Sequence, residues 1–213
     1  KDGDKYVFTG PFKIKELKAQ SEVTLEPNEN YPDANERPKT VKIKAFKDVN
    51  ALKLAYESGE VDLAFGLTGD IAKELKDKKK NVIDFDAAYQ YYTFLNLEND
   101  ILKDPAVREA IDKGIDREAI KKTLDGGTIP TGLFAGYNSF DAKTAATYNL
   151  NEAKALLDKS GWKLEEGQKY RMKEGKELTL SIKTYSSKAD LPKLSQTIAS
   201  ELEKLGIKAS VEV

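Results

Sequence analysis

Residues 41–65 read VKIKAFKDVNALKLAYESGEVDLAF, and this stretch decides the fold. Val41, Ile43 and Ala45 alternate with Lys42 and Lys44, the period of two of a strand with one buried face. Asp48 or Asn50 offers a side-chain cap for the helix that follows. Ala51, Leu54 and Ala55 share one face of that helix, and Gly59 supplies a left-handed stop. Residues 61–65 form a nearly continuous apolar run, as expected of a buried strand. Strand, helix and strand at this spacing make a βαβ-like unit.

Downstream the same alternation of element types continues. Thr68 or Asp70 starts a short helix carrying Ile71 and Leu75, and residues 82–85 read as a strand. Residues 87–97 are aromatic and β-rich without a helical period, which predicts a long strand or an extended crossover. Asp104-Pro105 is a helix start, an N-cap followed by proline in the first turn. Val107, Ala110 and Ile111 form the apolar stripe and Gly114 the end. Asp116 caps the next helix, with Ala119, Ile120 and Leu124 inward and Gly126-Gly127 as the stop. Asn149 or Asn151 opens a helix with Ala153, Leu156 and Leu157, closed by Gly161. Leu178, Leu180 and Ile182 alternate with polar residues as a strand, and Leu191, Leu194, Ile198, Leu202 and Leu205 fall at helix spacing. Ile207, Ala209, Val211 and Val213 alternate as a further strand. The pattern predicts a mixed-sheet α/β fold.

Composition excludes several classes of chemistry. The chain holds 35 Lys and Arg against 36 Asp and Glu, a formal net charge of −1, so it has no electrostatic footprint for nucleic acid. The lysine run at residues 76–80, broken by Asp77, reads as a solvated helix end. Cysteine and histidine are both absent, which removes disulfides, Cys/His metal sites, the usual histidine general base and any Ser-His-Asp triad. No phosphate-binding glycine loop occurs, because Gly126-Gly127 follows a helix instead of opening one. The acids sit mostly on polar faces at helix spacing from lysines, as Glu201 does from Lys204. The missing catalytic groups agree with a protein that is not an enzyme and needs no cofactor, and a hydrolase built on paired carboxylates stays as the open alternative. No run approaches the roughly 18 apolar residues that span a bilayer, and no signal peptide is visible. The chain opens on Lys1 and ends on an apolar strand, which reads as a trimmed or excised piece.

Two regions invite a functional reading. On an extended backbone Tyr92 and Phe94 share one face, and Tyr89 and Tyr91 the other. Such a group is either a core or sheet face, or one face of it lines a cleft, for which tyrosine offers a rigid ring and one hydrogen-bonding tip. Residues 128–147 have no period, contain Phe134, Tyr137 and Phe140, and are long for a connection without a function.

Seven segments resemble, in order, motifs of one family. Thr9-Gly10-Pro11-Phe12-Lys13-Ile14 resembles its "TGPYKL" strand, and Val23-Thr24-Leu25-Glu26 with Asn30-Tyr31 its "ITLERNPNYW" segment. Ser58-Gly59-Glu60-Val61-Asp62 is similar to its "ALKSGEVDIA" turn, and Phe94-Leu95-Asn96-Leu97 to its "FLNLN" strand. Residues 104–120, ending in Asp116-Arg117-Glu118-Ala119-Ile120, resemble "DVRVRQALNYAIDREAI". Residues 153–162 resemble "AKALLAEAGW", and residues 202–213 "LKKIGIKVEVQV". The family is that of ABC-transporter binding proteins for dipeptides, oligopeptides and nickel, extracellular solute-binding protein family 5. The sequence departs from it at Pro27, Pro32 and Ala106, which leaves Arg108 alone of an arginine pair.

The resemblance implies a two-lobe, periplasmic-binding-protein-like architecture of type II, present here as a partial, central chain. Residues 1–88 are expected in one lobe and 89–213 in the other, with a hinge crossover near 89–97. A small peptide, or nickel free or chelated, would close the lobes and be handed to an ABC permease complex in the membrane. The setting would be extracytoplasmic, in the periplasm or lipid-anchored on the outer face of the cell membrane. By position, the expected ligand-binding residues are Phe65, Gly66 and Leu67 after a strand end, Tyr91 and Tyr92 at the crossover, and Phe134 and Tyr137 in the long loop. With no histidine or cysteine, no residue is assigned to a directly bound metal. Open sheet edges would let a fragment pair with another copy. The competing expectation is a peptide receptor outside transport on the same fold, distinguished by the absence of permease and ATPase genes beside its own.

Overall fold

The structure, a computed structural model, describes residues 6–85, 89–134 and 147–213. Its contacts divide the chain into two units, Lys1–Leu67 and Thr68–Val213.

The first unit is built on an antiparallel sheet of β1 (Phe12–Lys18), β2 (Glu22–Pro27) and β3 (Val41–Lys44), in that order. Ile14 faces Leu25 and Leu17 faces Val23, with a bulge between Ile14 and Glu16. Asn28 fixes the chain beyond β2. Its buried side chain donates to the carbonyls of Phe8 (3.0 Å) and Gly10 (2.9 Å) and accepts from the Asn30 amide (3.2 Å). Helix α1 (Val49–Glu57) starts on Asp48, which accepts a hydrogen bond from the Ala51 amide at 2.8 Å. It stops where the sequence places the stop. Gly59 has φ 78°, the Glu60 amide donates to the Ala55 carbonyl (2.8 Å) and the Gly59 amide to that of Tyr56 (3.2 Å), a Schellman closure. Ala55 is buried, but Leu54, Leu17 and Ile43 are exposed. The expected inward face of α1 is therefore only partly realised.

The second unit begins with α2 (Gly69–Asp77), which buries Ile71 and Leu75. Its core joins α3 (Pro105–Gly114), α5 (Leu150–Lys159), β6 (Thr179–Lys183), α6 (Asp190–Lys204) and β7 (Lys208–Glu212). A shorter helix, α4 (Arg117–Thr123), packs on α6. The caps expected of α3, α4 and α5 are present, whereas Thr68, at the N-cap of α2, makes no side-chain cap bond. Asp104 accepts from Ala106 N (2.9 Å), Asp116 from Glu118 N (2.9 Å), and Asn149 from Glu152 N (3.0 Å). Strands β6 and β7 pair in parallel with Leu180 opposite Ala209, so α6 is their crossover. Leu194, Ile198, Leu202, Leu205 and Ile207 are buried beneath it with Val107, Ala110, Ile111, Ala153 and Leu157. A two-residue hairpin links β4 (Met172–Lys173) and β5 (Lys176–Glu177), with positive φ at both Glu174 and Gly175.

Three sequence expectations need correction. Residues 61–65 and 82–85 are not strands, and no ladder runs along 89–97. A strand is defined by its neighbours, and none of the described strands lies alongside these segments. Leu63 and Ile83 are accordingly exposed. Residues 89–97 take the second form expected of them, an extended crossover. Gly114 ends α3 as expected, though without a left-handed turn, and it also admits Leu205. A Cβ placed there would lie 2.4 Å from the Leu205 Cδ1. The left-handed position after α4 falls on Asp125, φ 54°, one residue before the expected Gly126-Gly127.

One polar side chain joins the elements of the second unit. Arg171 is 2% exposed. Its Nε donates to the Leu205 carbonyl (2.7 Å), and Nη1 donates to the Trp162 carbonyl (2.7 Å) and Asp158 Oδ1 (2.7 Å). Its backbone amide donates to the Gly206 carbonyl (2.8 Å), and its carbonyl accepts from Leu178 N (2.8 Å).

Two stability predictions follow from this packing. Arg171→Ala leaves two carbonyls without their donor and is expected to lower unfolding free energy by about 3 kcal/mol. Gly114→Ala forces Leu205 out of a filled site and is expected to cost about 2 kcal/mol. Urea unfolding of the full-length protein checks both; a loss below about 0.5 kcal/mol in either variant contradicts the corresponding account.

Candidate ligand-binding site

An extended backbone throws alternate side chains to opposite sides, and residues 89–94 do so here. The rings of Tyr89 and Tyr91 meet edge to face at 5.3 Å, and those of Tyr92 and Phe94 at 5.1 Å. The two pairs have different surroundings. Tyr92 is 63% exposed and Phe94 is exposed too. Tyr91 is half-buried and packs against the core of the second unit.

Tyr91 reaches the start of α6, where its hydroxyl donates to Asp190 Oδ2 at 3.4 Å. Burial pushes the Tyr91 phenol up to about 12, helped by the Asp190 charge, the neighbouring Tyr89, the hydrogen bond to Asp190, and Tyr185. The Lys188 ammonium lies 5.4 Å from the centre of the Tyr89 ring, within cation–π range. Tyr89, Tyr91, Tyr185, Lys188 and Asp190 thus gather where the chain leaves β6 and enters α6. In α/β sheets this carboxyl end of a parallel strand is where ligands bind.

Of the expected ligand residues, the structure brings Tyr91 into this group and turns Tyr92 to the other side of the same segment. Phe65, Gly66 and Leu67 belong to the first unit; Phe65 is 72% exposed and Leu67 half-buried. Phe134, in the second unit, is 52% exposed. Tyr137 lies outside the described residues. Tyr185, Lys188 and Asp190 were missed by the sequence reading. Their signal is that residues 184–189 join a clear strand to a clear helix.

Two surface hollows, of about 290 and 200 Å³, lie elsewhere, on the sheet of the first unit. Ser21, Glu22, Lys44 and Ala45 line both, and neither contains an expected ligand residue. Among the described residues no group of three or more acids converges as a metal site would need, and no helix is long and apolar enough to cross a membrane.

Comparison with known proteins gives a consistent result. The family model described as bacterial extracellular solute-binding proteins, family 5 Middle, matches residues 1–213. The oligopeptide-binding protein AppA of Bacillus subtilis (strain 168) is 29% identical over 217 residues, 98% of this chain and 40% of that protein. The solved structure of AppA from Bacillus subtilis in complex with a nonapeptide superposes with a TM-score of 0.72 at 28% identity, covering 96% of this chain and 42% of that one. NikZ from Campylobacter jejuni in complex with Ni(L-His) superposes with a TM-score of 0.78 at 24% identity, covering 96% and 42%, and shares the fold. The chain spans about 40% of the length of the curated relative it matches.

The raised Tyr91 phenol has a testable sign. Between its ordinary value of 10.0 and about 12 the folded state holds a proton that the unfolded state has released. The resulting stabilisation is full below pH 10 and is lost as pH rises toward 12. Tyr91→Phe removes that dependence, so its stability relative to wild type should improve as pH rises past 10. Chemical unfolding across this range, with ultraviolet titration of the tyrosines, measures it; parallel pH profiles for the two proteins count against a buried Tyr91–Asp190 pair.

Proposed function

The chain belongs to the bacterial extracellular solute-binding proteins of family 5, and from that premise we propose that it is the ligand-capturing part of an ABC importer that takes up peptides. The observation that carries the reading is the tyrosine group at the carboxyl end of β6, where Tyr91 is anchored to Asp190 and Tyr89 and Tyr185 stand exposed. Tyrosine rings accept varied peptide side chains by area, and their hydroxyls pair with backbone amides, so a sequence-tolerant ligand suits them.

The mechanism is one of binding without bond-making. Residues 1–88 form part of one lobe and 89–213 part of another, and the crossover at 89–97 acts as the hinge. Ligand that contacts both lobes stabilises the closed form by its differential affinity for it. Phe65, Gly66 and Leu67 contribute from the first lobe, and Tyr91, Tyr92, Phe134 and Tyr137 from the second. On this division α2 would belong to the first lobe, and its contacts would cross the lobe boundary. Gly69 abuts the Leu124 carbonyl, and Asp70 lies 3.8 Å from Lys193. The closed form then docks on the permease from outside the membrane, with the protein in the periplasm or lipid-anchored at the outer face. Nickel held in a chelate would be recognised by the same rings and charges, so it competes with peptide as the cargo to be tested.

A thermal-shift panel on the full-length protein tests the proposal, using di- to hexapeptides, nickel chloride, and nickel with histidine. A peptide at about 100 times its dissociation constant stabilises the native state by about 2.7 kcal/mol, a shift of several degrees. Peptides are expected to give that shift. A response confined to the nickel samples replaces peptide by metal chelate as cargo, and no response to any of them removes the peptide-import reading.

A further inference from the structure

Among the described residues, the Asp190 carboxylate has one oxygen to spare. Oδ2 accepts the Tyr91 hydroxyl at 3.4 Å. The carboxylate takes part in no ion pair among the described residues, whereas most acids of this chain that reach a lysine do so on the surface. Asp190 stands in the first turn of α6, so its negative charge is held in place by the positive end of a long helix. Tyr91, whose hydroxyl donates to Asp190, is itself neighboured by Tyr89 at 5.3 Å and by Tyr185, and both of those rings are exposed.

A cation already tests this environment from within. The Lys188 ammonium rests 5.4 Å from the centre of the Tyr89 ring, two residues before Asp190 and on an exposed loop. It makes no ion pair among the described residues, so the aromatic face is its described partner. Aromatic face, carboxylate and loop lysine together describe a place where a second cation can replace the first. An arriving ammonium or guanidinium takes the ring and gains the carboxylate oxygen, while Lys188, on its flexible stem, returns to water. The exchange leaves the local charge unchanged, so it avoids much of the desolvation cost of adding a new charge. An incoming carboxylate or phosphate gains only Lys188 and meets Asp190 head-on.

We propose that Tyr89, Tyr91, Tyr185 and Asp190 form a subsite for a cationic group of the ligand, with Lys188 as the cation it displaces. The inference rests on the peptide-capture reading and narrows it to peptides carrying positive charge. The charge comes from a lysine or arginine side chain of the peptide.

The test uses the full-length protein and calorimetric titration with tetra-alanine peptides. Each carries one lysine, or its uncharged isostere norleucine, at one of the four positions, with a free or acetylated amino terminus. Wild type is expected to bind the best lysine peptide roughly fivefold more tightly than its norleucine partner. If acetylation instead removes the affinity and lysine adds nothing, the terminus is the cation and the side-chain subsite is overturned. Asp190→Asn abolishes the charge preference, and a circular dichroism spectrum and urea midpoint close to wild type show that the variant folds. Lys188→Ala, a surface change, strengthens binding of the cationic peptides by removing their competitor. A charge preference that survives Asp190→Asn, or wild-type affinities indifferent to both lysine and acetylation, overturns the subsite and leaves peptide capture standing. Failure of every peptide to bind wild type overturns both.

Discussion

The second unit depends on one guanidinium taken out of water. The Arg171 side chain lies between the C-terminal ends of α5 and α6, and its main chain pairs with Leu178 just ahead of β6. A buried guanidinium is tolerable only when most of its donors are engaged, and the geometry required is strict because the fork is planar. Here two of its acceptors are main-chain carbonyls, that of Leu205, the C-cap of α6, which lacks an intrahelical partner, and that of Trp162 just beyond α5. Two problems of burial are solved by one contact: the helix ends need donors, and the guanidinium needs acceptors. Asp158, itself partly exposed, supplies the opposite charge.

That constraint explains why neighbouring positions are so restricted. Gly206 comes within 3.0 Å of the Arg171 Cγ if given a Cβ, and Gly114 admits Leu205, whose carbonyl Arg171 holds. The base of the β6–α6–β7 crossover is thereby clamped on both sides, by apolar packing from α3 and by hydrogen bonds from Arg171. The candidate site is at the other end of the same crossover. Fixing α6 at its C-terminus leaves its N-terminal turn, with Asp190, a rigid post beside an exposed loop. A fixed carboxylate beside an adaptable lysine is a division of labour that a binding site can use, since the fixed group gives orientation and the movable one lowers the cost of exchange.

The sequence makes the helices legible because their signals are local. Asp48, Asp104, Asp116 and Asn149 each cap the helix expected of them, since an N-cap bond spans only two or three residues. The strands at 61–65 and 82–85 were misread for the converse reason. An apolar run states that a segment is suited to cover, while pairing depends on residues far away in sequence. Gly114 shows the same limit on a smaller scale: glycine marks either a turn or a close approach, and only the position of Leu205 distinguishes them. The site was half legible. Period two along residues 89–94 separated the two aromatic pairs correctly, but which pair is backed by the core depends on Asp190, a hundred residues on. Arg171 carries no local signal at all, because a lone arginine in a polar stretch reads as surface.

The chemistry of the available donors bears on the choice of cargo. The chain offers oxygen donors and no imidazole or thiolate, and oxygen donors alone hold borderline metals such as nickel poorly against their hydration. A bare ion is therefore a poor match to what this part of the protein presents. A chelate or a peptide is a better one, because each arrives with its own polar shell and asks the protein for area, a few hydrogen bonds and a countercharge. Of the two, a chelate has a fixed shape and rewards a rigid, closely fitted pocket. A peptide varies in its side chains and rewards exposed rings with room around them. Tyr89 and Tyr185 are of the second kind, broad rings standing in solvent beside the anchored Tyr91–Asp190 pair. The arrangement suits a ligand whose charge is constant in position and whose remaining surface is not.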